Sequence, residues 1–228
     1  MATRSEIAVA IDGPMGSGKS TVAREVARRL GFRYVDTGAM YRAVAVAALR
    51  RDVAMDDPDA LAAVARALRL EVTADPDGGM RVAVDGEDVT GELRTVSVNR
   101  VVGKVAGAPG VRAVLGGIQR ALGASGGVVM EGRDIGSVIL PQAEVKIFLT
   151  ASRDARARRR QAELAAAGEH VSLDDVRRIE DEDDRAATTR PVGPLRIAPD
   201  AEVIDSTERT VDEVVDRILA SVARARGL

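Results

Sequence analysis

The stretch IAVAIDGPMGSGKSTVAREVARRLG, from Ile7 to Gly31, constrains the fold more than any other part of the chain. Five apolar residues, Ile7–Ile11, run straight into a glycine-rich turn, and after Ser20 the apolar residues recur at helical spacing. Strand, tight loop and helix in that order make the first half of a βαβ unit, which commits the chain to a sheet of mainly parallel strands. Further strand-like runs fit the same scheme: Arg33–Val35, Val128–Met130, Val145–Leu149 and Glu202–Ile204. Helical patterns lie between them. Val98, Val101, Val102 and Val105 share one face, as do Val111, Val114, Leu115, Ile118 and Leu122. Asp57 before Pro58 predicts a helix start. Ser172 with Asp175, and Thr210 with Glu213, read as capping boxes.

One region departs from this alternation. LRLEVTADPDGGMRVAVDGEDVTGELRT, Leu68–Thr95, alternates with period two around DPDGG and DG turns and predicts a small antiparallel sheet inserted into the parallel scheme. The expected class is α/β, one domain over residues 1–228, with an insertion over about 37–108 and an arginine-rich segment over about 154–192.

The loop itself carries chemistry. Gly13-Pro-Met-Gly-Ser-Gly-Lys-Ser20 matches G-x-x-x-x-G-K-[ST] directly after a strand and before a helix, where the mechanism requires it. Bare glycine backbone lets successive N–H groups face phosphate oxygens, and the positive end of the following helix reinforces them. Lys19 suits the β- and γ-phosphates of a nucleotide, and the Ser20 hydroxyl suits Mg²⁺. Lysine occurs only at Lys19, Lys104 and Lys146 in a chain rich in arginine, which makes its presence here more informative.

Two further clusters fall at predicted strand ends, where open parallel sheets bind ligands. In VDTGAMYRAV, Thr37, the Gly38 backbone and Arg42 suit a second phosphate, because a guanidinium grips two oxygens at once. The same residues also fit a helix N-cap, with Asp36 or Thr37 capping and Arg42 solvated. In VVMEGRDIGSVILP, Glu131 suits a water on the metal, Arg133 a phosphate, and Asp134 an exocyclic amine of a base. A surface Arg–Asp pair is the alternative there.

Composition removes several classes. With no cysteine and one histidine, His170, neither a disulfide framework nor a thiolate or multi-histidine metal centre can form. A net charge of −2 and 2% aromatic residues argue against nucleic-acid binding. No run approaches the ~18 apolar residues of a membrane span. The opening MATRSE precedes too short an apolar run for a signal peptide, so a cytoplasmic protein is expected. No long apolar stripe asks for a partner, so a monomer is expected.

Taken together, GPMGSGKST, DTGAMYR, GEDVTGE, EGRDIG and VKIFLTAS, in this order, resemble the bacterial cytidylate kinases over nearly the whole chain. The resemblance implies a P-loop kinase three-layer fold with a five-stranded parallel sheet, an inserted antiparallel sheet and a helical lid. It implies transfer of the γ-phosphoryl group of ATP to CMP or dCMP with Mg²⁺. Gly13, Pro14, Met15, Gly16, Ser17, Gly18, Lys19, Ser20 and Thr21 would hold ATP phosphates, with Ser20 and Glu131 at the metal. Thr37, Arg42, Arg112, Arg133, Asp134, Arg185 and Arg190 would hold the acceptor. Lys19, Arg133, Arg159, Arg160 and Arg190 would meet the transferring group, Arg156 lying beside them in the lid. Two departures stand out. Gly103 replaces a serine expected at the base. In EDEDDRAATTR, Glu182 or Asp183 stands where an arginine is usual and Ala186 or Ala187 where an aspartate is, with Arg185 a candidate replacement charge. UMP, AMP and shikimate kinases are the nearest alternatives, and a P-loop switch protein is a more distant one.

Overall fold

The computed structural model describes residues 7–75, 78–166 and 168–227. Five parallel strands form the main sheet: β1 (Ala8–Asp12), β2 (Arg33–Asp36), β6 (Val128–Gly132), β7 (Val145–Thr150) and β8 (Glu202–Asp205), in the order β2-β6-β1-β7-β8. β1 is central and buried along its whole length, paired with β6 (Ala8 opposite Val128) and β7 (Val9 opposite Val145). This explains its unbroken apolar run, since a strand covered on both faces has no polar side to show.

The helices form two layers. On one face lie α1 (Lys19–Leu30) and α8 (Val211–Arg226), in contact with each other. On the other lie α2 (Thr37–Arg50) and α5 (Pro109–Gly123), backed by α3 (Pro58–Ala67) and α4 (Val96–Gly107). Asp57 caps α3 through Asp59 and Ala60 N–H, with Pro58 in the first turn. Thr210 and Glu213 form a reciprocal box at α8. At Ser172 only half the expected box exists. Its hydroxyl accepts from Asp175 N–H, but the shorter Asp175 carboxylate takes the Ser172 hydroxyl rather than reaching its backbone. Between α4 and α5 the axis turns by 91° at Ala108–Pro109, where the proline cannot continue the preceding helix.

The inserted sheet is antiparallel, β3 (Leu70–Ala74), β4 (Met80–Val84) and β5 (Glu87–Asp88) in that order, with the centre of the first turn, 76–77, outside the described residues. Alternate β4 residues Met80, Val82 and Val84 are buried, and β4 packs on α2. The insertion thus holds α2 from behind, and α2 starts at the carboxyl end of β2. Two more helices, α6 (Arg153–Ala166) and α7 (Leu173–Thr189), form an arm packed against each other, reaching the segments after β1 and β6 through Arg156 on Met15 O and Asp183 on Arg133. No single helix among the described residues is long and apolar enough to cross a membrane.

Candidate active site

The loop between β1 and α1 is fixed from outside. Five successive carbonyls, Gly13 to Ser17, are each taken by a side-chain donor. Arg133 Nη1 donates to Gly13 O at 2.9 Å, and Lys19 Nζ to Pro14 O at 2.7 Å. Arg156 Nη1 donates to Met15 O at 3.0 Å, Arg159 Nη1 to Gly16 O at 3.5 Å, and the Ser206 hydroxyl to Ser17 O at 3.0 Å. With these carbonyls engaged, the loop's N–H groups are the backbone groups left to meet an anion, the polarity such a ligand needs. Glycine is required at the start of the loop. A Cβ at Gly13 would lie 2.0 Å from the Leu149 carbonyl oxygen of β7.

Lys19 is buried, and burial pushes its ammonium pKa down, with the Arg133 guanidinium adding to the fall. Glu131, Asp183 and Asp12 pull the other way. A desolvated ammonium under this pressure gains strongly from a phosphate beside it. Glu131, buried at the end of β6, accepts the Tyr34 hydroxyl at 2.6 Å, and Ser20 lies near enough to favour its charged form. Burial raises its pKa, the nearby Asp36 carboxylate adds to this, and Lys19 opposes it. A hydroxyl and a carboxylate side by side are hard oxygen ligands of the kind Mg²⁺ accepts, with water and substrate phosphates completing its shell. The residues therefore fit the ion.

Across the cleft, α2 begins at Asp36, whose carboxylate caps Ala39 N–H. The Thr37 hydroxyl donates to Glu131 O at 2.7 Å, tying the ends of β2 and β6 together. The capping and the binding readings of this segment are therefore compatible, because Asp36 does the capping. Arg42 is half-buried, not solvated. Burial lowers its pKa, Asp36 opposes this, and Arg94, Arg133 and Arg160 lower it further. Guanidiniums brought together against their own repulsion make a place for an anion. Deeper in, Asp134 is buried between two more: Arg112 Nη2 donates to Oδ2, and Arg190 Nη2 reaches Oδ1 at 3.4 Å. Arg112 also lies over the Tyr41 ring, 5.5 Å from its centroid.

A glycine-rich cradle and a cationic second cluster thus lie together at the carboxyl ends of β1, β2 and β6. The cytidylate kinase family's sequence profile matches residues 9–224. This chain belongs to the cytidylate kinase family. A cytidylate kinase of Pelotomaculum thermopropionicum is 51% identical over 218 residues, covering 96% of each chain. One from Symbiobacterium thermophilum is 48% identical over 219 residues, 96% of this chain and 97% of that one. A crystal structure of an uncharacterized protein from Eubacterium ventriosum shares the fold at a TM-score of 0.53, with 13% identity over 95% of this chain and 98% of that one. The chain is a kinase, a phosphotransferase.

Not every residue expected in this kinase's site meets in the cleft. Arg159, expected over the transferring group, instead joins Gly16 O to the Ser206 loop, with Nη1 on Ser206 Oγ at 3.0 Å and Nη2 on Ser206 O at 2.6 Å. Arg160 pairs with Glu163 at 3.0 Å, yet its charge still reaches Arg42. Arg185 is exposed on the outer face of α7 and does not join the cluster. Gly103 has open space around it, so nothing in the protein fills the place of the expected hydroxyl.

Three residues of the site were not foreseen. Asp12 ends β1 and its two oxygens accept Ile135 and Gly136 N–H, each at 2.7 Å, anchoring the turn that carries Asp134. Burial pushes its carboxyl up to about 6 against the pull of those two bonds. Ser206 bonds the cradle, as above. Glu180 of α7 is fully buried, with both carboxylate oxygens lacking hydrogen bonds. It lies so close to the loop that a Cβ at Gly16 would stand 2.7 Å from its Oε1. Of the three, only Asp12 left a sequence signal: an acid ending a fully apolar strand beside the phosphate loop.

Proposed function

We propose that the chain transfers the γ-phosphoryl group of ATP to the phosphate of CMP or dCMP, giving ADP and the diphosphate. The observation that supports this most is the position of Arg133, one terminal nitrogen on the donor cradle at Gly13 O and its charge beside Arg42 of the second pocket. A transfer between two phosphates needs an in-line approach and preorganised cations rather than a nucleophile or a general base. Lys19 and the loop N–H groups hold the donor. Thr37, Arg42 and Arg133 hold the acceptor's phosphate and set its distance from the donor.

The base is read by Asp134. Arg112 and Arg190 hold it in place from its two oxygens, and each carboxylate oxygen retains a lone pair for the exocyclic amine of cytosine. Uracil presents a carbonyl at that position, so two acceptors would face each other in a buried site. Ser20 and Glu131 would hold Mg²⁺, which would supply charge neutralisation at the donor phosphates. Arg156, Arg159 and the arm they belong to exclude water, so that ATP is not hydrolysed instead.

The test is ATP turnover with Mg²⁺, run without acceptor and with CMP, dCMP, UMP and AMP in turn. Turnover should depend on acceptor, with CMP and dCMP preferred over UMP by about 10²-fold or more. Slow turnover indifferent to the monophosphate would sink the reading.

A further inference from the structure

Helix α7 carries an unbroken acidic run, Glu180, Asp181, Glu182, Asp183 and Asp184. Three of its carboxylates pair with the arm's own arginines, Asp184 with Arg156 at 2.7 Å, Asp181 with Arg153, and Glu182 with Arg178 at 3.6 Å. Asp183 does not. It turns toward the cleft and takes Arg133 Nη2 at 2.7 Å, with 22% of the arginine side chain and 32% of the aspartate exposed. Arg133 Nη1 is already fixed on Gly13 O. Both terminal nitrogens of this guanidinium are thereby directed by protein groups, one by the donor loop and one by the arm. The field of Asp183 reaches as far as Lys19.

We propose that Asp183 is a determinant of acceptor affinity: its carboxylate and the acceptor's phosphate compete for Nη2 of Arg133. The inference rests on Arg133 gripping the acceptor's phosphate, as set out above. A dianionic phosphate on Arg133 is disfavoured while a carboxylate holds the same nitrogen, because the like charges would lie within a few ångströms of one another in a half-buried cleft. Asp183 leaves, and its ion pair with Arg133 is subtracted from the acceptor's binding. Because Asp183 sits on α7, acceptor binding releases the arm from Arg133 at the same step. Asp183 is a positioning residue and an internal competitor, and it takes no part in the chemistry.

The sign of one measurement separates this role from a merely structural ion pair. In Asp183→Asn the shape is kept and the charge is lost. The expected result is CMP binding tighter by about threefold to tenfold in calorimetry, with a matching fall in KM, the range a half-exposed pair can deliver. A pair that only braces the arm would give the opposite, weaker CMP binding and a lower Tm. Binding unchanged or weakened in Asp183→Asn overturns the proposal.

Arg133→Gln completes the test. If it binds CMP like the parent, the assignment of Arg133 itself fails. If it weakens CMP binding while Asp183→Asn tightens nothing, the role of Asp183 alone fails. In the double variant the Asn substitution should have no further effect on CMP binding. Tightening that persists without the arginine would mean general repulsion and would overturn competition for Nη2.

Discussion

The glycine-rich cradle and the outer side of the helical arm both rely on arginine, but are held in different ways. In the cradle the partners of the charged side chains are backbone carbonyls, from Gly13 to Ser17, and the loop is wedged against β7 so tightly that not even a methyl fits at Gly13. On the arm's outer side the partners are other side chains, Arg153 with Asp181 and Arg177 with Asp154 and Asp174, all of them more than a quarter exposed. A backbone carbonyl cannot be exchanged or titrated. A carboxylate can be both, and a second anion can replace it. The cradle is therefore suited to hold one geometry, and the arm to trade partners as phosphates arrive and leave.

If that contrast holds, the largest effects come from the cradle's side chains. Lys19→Ala removes the ammonium that faces the phosphates, and kcat should fall by roughly 10²–10³-fold, as for loss of a preorganised donor at a developing charge. Stability should not fall with it, because burial already works against this ammonium. Steady-state turnover and thermal melting on one preparation check both halves. Near-normal turnover in the variant would mean that the cradle tolerates substitution as readily as the arm does, and the contrast would fail.

The same contrast explains what could be read from the sequence. The five strands and the cradle were legible because their signals are local: apolar runs, and a glycine spacing whose meaning depends on its neighbours alone. The antiparallel insertion was legible from its period, and only the two-residue β5 gave too short a signal to place. The anchoring role of Asp12 left no local signal, because its partners, Ile135 and Gly136, lie far along the chain. The hold of Arg159 on the Ser206 loop leaves no local signal for the same reason, Ser206 being brought in only by β8. The arm was the least legible. In a run such as IEDEDDRAATTR every residue looks solvated, and helix phase decides which are not. Glu180 is buried, Asp183 turns to the cleft, and Arg185 faces outward.

Glu180 gives a smaller effect with a definite pH signature. Its carboxyl is pushed up to about 7, first by burial, with Arg156 and Arg160 opposing and Asp184 and Asp183 adding. The unfolded chain releases this proton near the ordinary value, 4.5. Between those limits the folded state binds more protons than the unfolded, so stability falls as pH rises through the window and stays reduced above it. Glu180→Gln cannot charge. Its stability should match the parent near pH 5 and exceed it at pH 8 by about 1–2 kcal/mol, less than full linkage because Arg156 can swing toward the new charge. Asp12, raised to about 6, gives a similar trend in both proteins and cancels in the difference. Urea unfolding at the two pH values reads it. Equal differences at pH 5 and pH 8 would mean that Glu180 is not held in a dry position against the loop.

The smallest effect belongs to the arm's outer pairs. Arg153 and Asp181 are 54% and 41% exposed, so water screens their attraction and ordering two long side chains offsets much of what is left. Asp181→Asn should cost no more than about 0.5 kcal/mol, and the difference should vanish in ~1 M salt, where the screening length is a few ångströms. CMP binding should not change, since neither residue shares a partner with Arg133. This is the control for Asp183, one helical position pair away on the same acidic run. If neutralising Asp181 tightened CMP as much as neutralising Asp183, the acids of α7 would act through their summed field and not through partners, and the arm would have to be described by net charge alone.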